Sequence, residues 1–231
     1  MRSCTRPCTT TAASCRRAGR RVRPTCARTC SPDSSLIEFA LQARVPRFLL
    51  VSTLEVYGAR ATAPLAPRDE TAPLWPDSLY GMVKYALELA GLACGDELGF
   101  QVVRPGWVFG AHAERASHCW QPIVARLLAG DDVPVQAGAF MIWVEDLARL
   151  VAELQSRPLG PERVFNAHSG FLDWHRVTEI GKQLLGSRSR ITGSTAPPPR
   201  CPIVADRILE LGVALRVEEG VRRTLEHIAA I

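Results

Sequence analysis

The sequence contains no G-x-G-x-x-G, G-x-x-G-x-x-G or P-loop pattern, and between residues 1 and 57 its only glycine is Gly19. That excludes from this stretch the Gly-rich turn that cradles phosphates on backbone N–H groups at a helix start. No run of 18 apolar residues occurs, so no membrane-spanning helix is expected. Residues 1–30 hold no Asp, Glu or Lys and, after the initiator, no Leu, Ile, Phe, Met, Tyr or Trp; Val22 is their one large aliphatic side chain. Such a segment cannot bury a core, and residues 1–33 are expected to be a disordered Arg/Cys-rich tail, not native to the fold. The tail also lacks the apolar h-region of a signal peptide, which points to a cytoplasmic protein.

The net charge of +5 hides two opposite halves. The first thirty residues carry eight Arg and no acid, whereas the remainder has 20 basic and 23 acidic residues. The folded part therefore gives no sign of a nucleic-acid or membrane partner. Cysteine divides in the same way. Cys4, Cys8, Cys15, Cys26 and Cys30 lie in the tail, and only Cys94, Cys119 and Cys201 lie beyond it. No disulfide framework is expected from three such scattered thiols. Three readings of the tail compete: a zinc site from two C-x3-C pairs, a mitochondrial transit peptide, or the product of a shifted start or frame in a GC-rich gene. The last is preferred, because the tail has no aromatic residue to pack around a metal and almost no apolar face. No metal site is assigned to the body.

Beyond the tail, SSLIEFALQA at 34–43 reads as a short helix capped by Ser or Asp33. RFLLVS, 47–52, is a continuous apolar run that suits a strand buried on both faces of a parallel sheet. A Pro-rich loop at 59–77 leads into a helix over Ser78–Leu98 that stops at Gly99, and FQVVR, 100–104, is a second buried strand. Helices are expected at 120–129, 144–155 and 173–185, a strand at 163–167, a linker at the prolines 197–199, and two amphipathic segments at 203–211 and 217–229. This alternation predicts an α/β architecture.

Tyr80 and Lys84 form Y-x-x-x-K, which on a helix puts both side chains on one face, one turn apart. A nearby ammonium favours the phenolate and lowers the tyrosine pKa from near 10, so that the pair can move a proton to or from a hydroxyl or carbonyl. Alone the pattern is weak. Its neighbours strengthen it: Ser52-Thr53-Leu54-Glu55-Val56-Tyr57-Gly58 follows the first strand, where open α/β sheets bind ligands, and Arg104-Pro105-Gly106-Trp107-Val108-Phe109-Gly110 ends the next. The ordered set S-T-x-E-V-Y-G, Y-G-x-x-K and R-P-x-x-V-x-G resembles the NAD-dependent epimerase/dehydratases, the extended short-chain dehydrogenases. Val144-Glu145-Asp146-Leu147-Ala148, Phe165-Asn166-Ala167-His168-Ser169-Gly170 and the segment Asp206–Leu225 extend the resemblance over roughly 34–230.

The resemblance implies a partial Rossmann-type parallel sheet, the C-terminal half of a doubly wound domain, with a smaller α/β substrate region. Residues 34–111 and parts of 140–170 would form the incomplete NAD(P)-binding domain, and 112–139 with 171–231 the substrate region. It implies Tyr80 as acid/base, Lys84 as the residue that lowers its pKa and bonds the nicotinamide ribose, and Thr53 as the hydroxyl that orients the substrate oxygen. Pro105, Gly106 and Val108 would lie near the nicotinamide, whether the cofactor is NAD or NADP. For Thr53 a hydroxyl that caps its own loop is the alternative, and for Trp107 simple packing is preferred. Leu54 stands where the family's 4,6-dehydratases carry the Asp that acts as acid, so dehydration is disfavoured and Glu55 reads as a loop carboxylate. The expected substrate is a nucleotide sugar or another hydroxyl or carbonyl compound, and a homodimer follows by family analogy. The alternative is an inactive truncated remnant without the cofactor cradle; a catalytically silent NAD(P)-sensing relative is a weaker third reading.

Overall fold

The computed structural model describes residues 31–58, 66–111, 118–197 and 201–230. The expectations for residues 1–30, for the start of the loop after Gly58, and for Pro198 and Pro199 of the linker lie outside the described residues. In chain order the elements are α1 (Ser31–Gln42), β1 (Arg47–Val51), a 3-10 turn (Leu54–Tyr57), α2 (Leu79–Leu92), β2 (Gly99–Pro105), β3 (Trp107–Phe109), α3 (Gln121–Ala129), β4 (Val133–Pro134), β5 (Gly138–Trp143), α4 (Val144–Ser156), β6 (Val164–Ala167), β7 (Phe171–Asp173), α5 (Trp174–Leu184), β8 (Ile191–Thr192), α6 (Asp206–Glu210) and α7 (Val217–Ala229).

The main sheet is parallel in the order β1-β2-β6, in keeping with the α/β architecture that alternating strands and helices predict and with the partial Rossmann-type sheet that the resemblance implies. β2 is central, and every residue of GFQVVRP is buried. β1 differs from expectation. RFLLV is only half-buried over most of its length and Val51 is exposed, because among the described residues β1 pairs with β2 alone. Helix α2 starts as expected, with the Ser78 hydroxyl accepting from the Gly81 N–H at 3.0 Å. It ends earlier than the periodicity suggests: Gly95 at φ +56 turns the chain into a 3-10 turn over Gly95–Glu97. Gly91 lets α2 lie against β2, since a Cβ there would fall 2.0 Å from the Phe100 ring.

A second, smaller sheet runs β3-β5-β7, with β3 parallel and β7 antiparallel to β5. These short strands are not apparent from the apolar pattern. Helices α3, α5 and α7 close a core around Trp120, Trp143, Val177, Val221 and Leu225. A separate cluster of Val103, Ile142, Leu150, Phe165 and Ile208 fills one face of the main sheet, and Ile37, Leu50, Leu87, Leu98 and Phe100 fill the other. Among the described residues no helix is long and apolar enough to cross a membrane.

Candidate active site

Chemistry-bearing residues gather where β1 and β2 end. Past Val51 the chain keeps one more sheet bond, Ser52 N–H to the Val103 carbonyl at 2.7 Å, and then turns. Thr53 is extended and caps the 3-10 turn: its Oγ1 accepts from the Glu55 N–H at 3.2 Å. The loop-capping role weighed for this hydroxyl is thus present. Capping uses an acceptor lone pair and leaves the Thr53 O–H free to donate. Glu55 Oε2 accepts from the Ser78 hydroxyl at 2.8 Å, which ties the turn to the start of α2. Leu54 is buried beside Val56, Tyr57 and Ile203.

Tyr80 and Lys84 share one face of α2. The Lys84 ammonium donates to the Val51 carbonyl at 3.0 Å and lies 5.9 Å from the centre of the Tyr80 ring. Tyr80 is 52% exposed, and its hydroxyl makes no hydrogen bond to a described residue. The expected lowering of its pKa is not met. Partial burial and then the Glu55 carboxylate push the phenol up from its ordinary value, while the Lys84 ammonium addresses the ring and the Val51 carbonyl rather than the phenolic oxygen.

An open pocket of ≈ 330 Å³ lies beside these residues, with Thr53, Glu55, Pro105, Gly106, Trp107 and Phe140 in its wall. That volume is at the small end for ligand sites. Gly106 is where the chain leaves the main sheet for the second one; a Cβ there would fall 2.3 Å from the Phe140 carbonyl oxygen. Trp107, expected as simple packing, instead lines the pocket, is 54% exposed, and meets the Trp174 ring at 6.5 Å. Val108 is exposed and is not part of the pocket wall, nor are Tyr80 and Lys84.

Sequence reasoning missed what lies beneath. Glu88 and Arg104 are both buried and form a bidentate ion pair, Nη2 to Oε2 at 2.7 Å and Nε to Oε1 at 3.1 Å. Arg104 Nη1 also donates to the Tyr57 hydroxyl at 2.9 Å, and that hydroxyl donates toward the Asp69 carbonyl and Asn166 Oδ1. One signal was available: Glu88 sits four residues after Lys84, on the face that Tyr80 and Lys84 share.

A family model described as the NAD dependent epimerase/dehydratase family matches residues 16–167, starting inside the Arg/Cys-rich segment, before residue 34. No curated protein matches the chain. Among solved structures, UDP-glucose 4-epimerase of Thermotoga maritima with UDP-glucose is 22% identical at a TM-score of 0.66, over 84% of this chain and 67% of that one. RMD of Pseudomonas aeruginosa complexed with NADPH is 21% identical at 0.68, over 85% and 72%. TunA, an NAD-dependent NDP-hexosamine 5,6-dehydratase of tunicamycin biosynthesis, is 26% identical at 0.62, over 84% and 68%. At such identities the likeness bears on the fold, and the fold it supports is the Rossmann type described above.

Proposed function

Because the chain belongs to the NAD-dependent epimerase/dehydratase family, we propose that it supplies the proton-transfer residues of an NAD(P)-dependent epimerisation or oxidoreduction on a nucleotide sugar or a related hydroxyl or carbonyl compound. The observation that carries this reading is the gathering of Thr53, Tyr80 and Lys84 at the carboxyl end of β1, with Lys84 bonded to Val51 and Thr53 in the pocket wall. Nucleotide sugars are the ligands of several proteins with this fold. The Leu54 side chain, packed into an apolar cluster, has no proton to give, which argues against a dehydratase. A second copy of the chain pairing through α2 is part of the same proposal.

The residues present fit the nicotinamide–ribose end of the cofactor. Lys84 spends one N–H on the Val51 carbonyl and keeps two for ribose hydroxyls, and Pro105 and Gly106 offer a mainly apolar wall. When bound, the cofactor supplies or accepts the hydride. Thr53 donates to the substrate oxygen and fixes its orientation. Tyr80, its phenol held protonated by burial and by Glu55, gives its proton to that oxygen as a carbonyl becomes a hydroxyl. The reverse step needs the phenolate, so oxidation of a hydroxyl gains rate as pH rises toward the tyrosine range, whereas reduction does not.

One observation favours a second reading, an inert chain. The sequence has no Gly-rich phosphate turn, and no helix among the described residues opens on one. The deciding measurements are calorimetric titration with NAD and NADPH, and turnover of UDP-glucose with and without Tyr80→Phe. Measurable but weak cofactor binding, as the want of a Gly-rich phosphate turn implies, with a loss of about 10²- to 10⁴-fold in Tyr80→Phe fits the proposal. No detectable binding at millimolar cofactor selects the inert chain, and turnover that survives Tyr80→Phe removes Tyr80 from the mechanism.

A further inference from the structure

Two ties join α2 to the chain that leaves β1, and they straddle the reacting groups on both elements. The outer tie is Ser78 to Glu55 at 2.8 Å. The inner tie is the Ser52 hydroxyl to Glu88 Oε1 at 2.5 Å. On the helix, Tyr80 and Lys84 lie between Ser78 and Glu88, a span of about 15 Å. On the strand side, Thr53 lies between Ser52 and Glu55. The outer tie is exposed, whereas the inner one is sealed: Glu88 and Ser52 are 1% and 2% exposed.

Glu88 is held from a third side by Arg104, at the end of β2. One carboxylate therefore joins the helix, β1 and β2 at the level of the Lys84–Val51 bond, one residue before Ser52. An apolar pair of similar volume would stabilise this interior as well or better, since two buried charges lose hydration that their attraction barely returns. An ion pair does something that apolar packing does not: its hydrogen bonds accept one register of the helix against the strands and reject its neighbours. We propose that Glu88, gripped by Ser52 and Arg104, is the positioning residue that sets Lys84 and Tyr80 against Thr53. The proposal rests on the reading of those three as the reacting set, but its geometry can be tested without any turnover.

The chain has two lysines, Lys84 and Lys182, so Lys182 on α5 serves as an internal reference for amine labelling with acetic anhydride. Two variants of the full chain loosen the inner tie by different routes. Ser52→Ala removes one hydrogen bond and keeps the ion pair. Glu88→Leu with Arg104→Met replaces the charges by apolar side chains of similar size. Both are expected to keep the wild-type circular dichroism and cooperative melting, while the Lys84 to Lys182 labelling ratio rises about fivefold, the worth of one net hydrogen bond released at the ammonium. A folded variant of either kind with an unchanged ratio overturns the proposal. Should the double variant fail to fold, Ser52→Ala alone decides. No cofactor or substrate enters the assay, so the labelling result stands even for a chain that proves inert. A wild-type ratio in these variants, in turn, leaves the Tyr80→Phe test untouched.

Discussion

The core under α3, α5 and α7 and the layer of α1 and α2 over β1 both pack helices against strands, yet they end differently. In the first, Trp120, Val177, Val221 and Leu225 are fully enclosed. In the second, Leu36, Phe39, Met82 and Leu89 are each at least half exposed. The first region is closed on itself. The second has an inner face packed on the sheet and an outer apolar face that no described residue covers. Stability is therefore concentrated in the region farther from Tyr80 and Lys84, and the helix that carries them rests on one side only.

The largest break in this contrast is expected from Trp143→Ala. Trp143 is 2% exposed, abuts the α7 backbone at Gly220, and has the guanidinium of Arg216 4.9 Å from its ring. Losing it should cost about 3–5 kcal/mol, read as a lower urea midpoint. Next is Asp146→Ala. The Asp146 carboxylate is fully enclosed, accepts the Arg216 N–H at 2.7 Å and pairs with Arg149. Removing it orphans that N–H at the start of α7, for about 1–3 kcal/mol by the same measurement.

A pH effect comes third. His168 is buried, its Nδ1 accepts from Gly170 at 3.0 Å and its ring lies 4.6 Å from Phe140. Burial holds its pKa below the ordinary histidine value, with the Asp206 charge opposing. The unfolded chain then binds a proton that the folded one refuses, so stability is complete above about pH 6.5 and is lost as pH falls through the lower folded value. The melting temperature of His168→Asn, which keeps an acceptor but does not titrate, should fall less between about pH 7 and pH 5 than that of wild type. The smallest effect is expected from Phe39→Ser on the open face, within about 0.5 kcal/mol. A much larger loss, or a sedimentation shift toward smaller species, would mean that the pairing proposed through α2 extends over Phe39 of α1.

The parts legible in the sequence were those with a local cause. The periodicity that begins at Ser78 announced α2, and FQVVR, 100–104, announced a buried strand by its mostly apolar residues. The short strands β3, β5 and β7 gave no such signal, because their pairing joins residues far apart in the chain and GAFMIW carries no alternation. The site was legible as a set of residue types. What stayed hidden was their orientation: that Lys84 points at a carbonyl, that burial and the nearby Glu55 raise the Tyr80 pKa, and that Trp107 faces a pocket. Those depend on which atoms meet, and a pattern of letters names the atoms without the meeting. Glu88 and Arg104 were visible as ordinary charges whose burial only the fold reveals.

Strand β5 carries one further consequence. Consecutive residues of it enter different cores: Met141 and Trp143 join the helical one, Ile142 joins that of the main sheet, and Phe140 packs beside Tyr57 and Ile203. A strand shared in this way cannot loosen in one region alone, since any tilt that frees Trp143 also withdraws Ile142. The helical core and the core that Ile142 enters should therefore melt in one transition with coincident spectroscopic probes, and the amides of β5 should exchange with solvent only when both open.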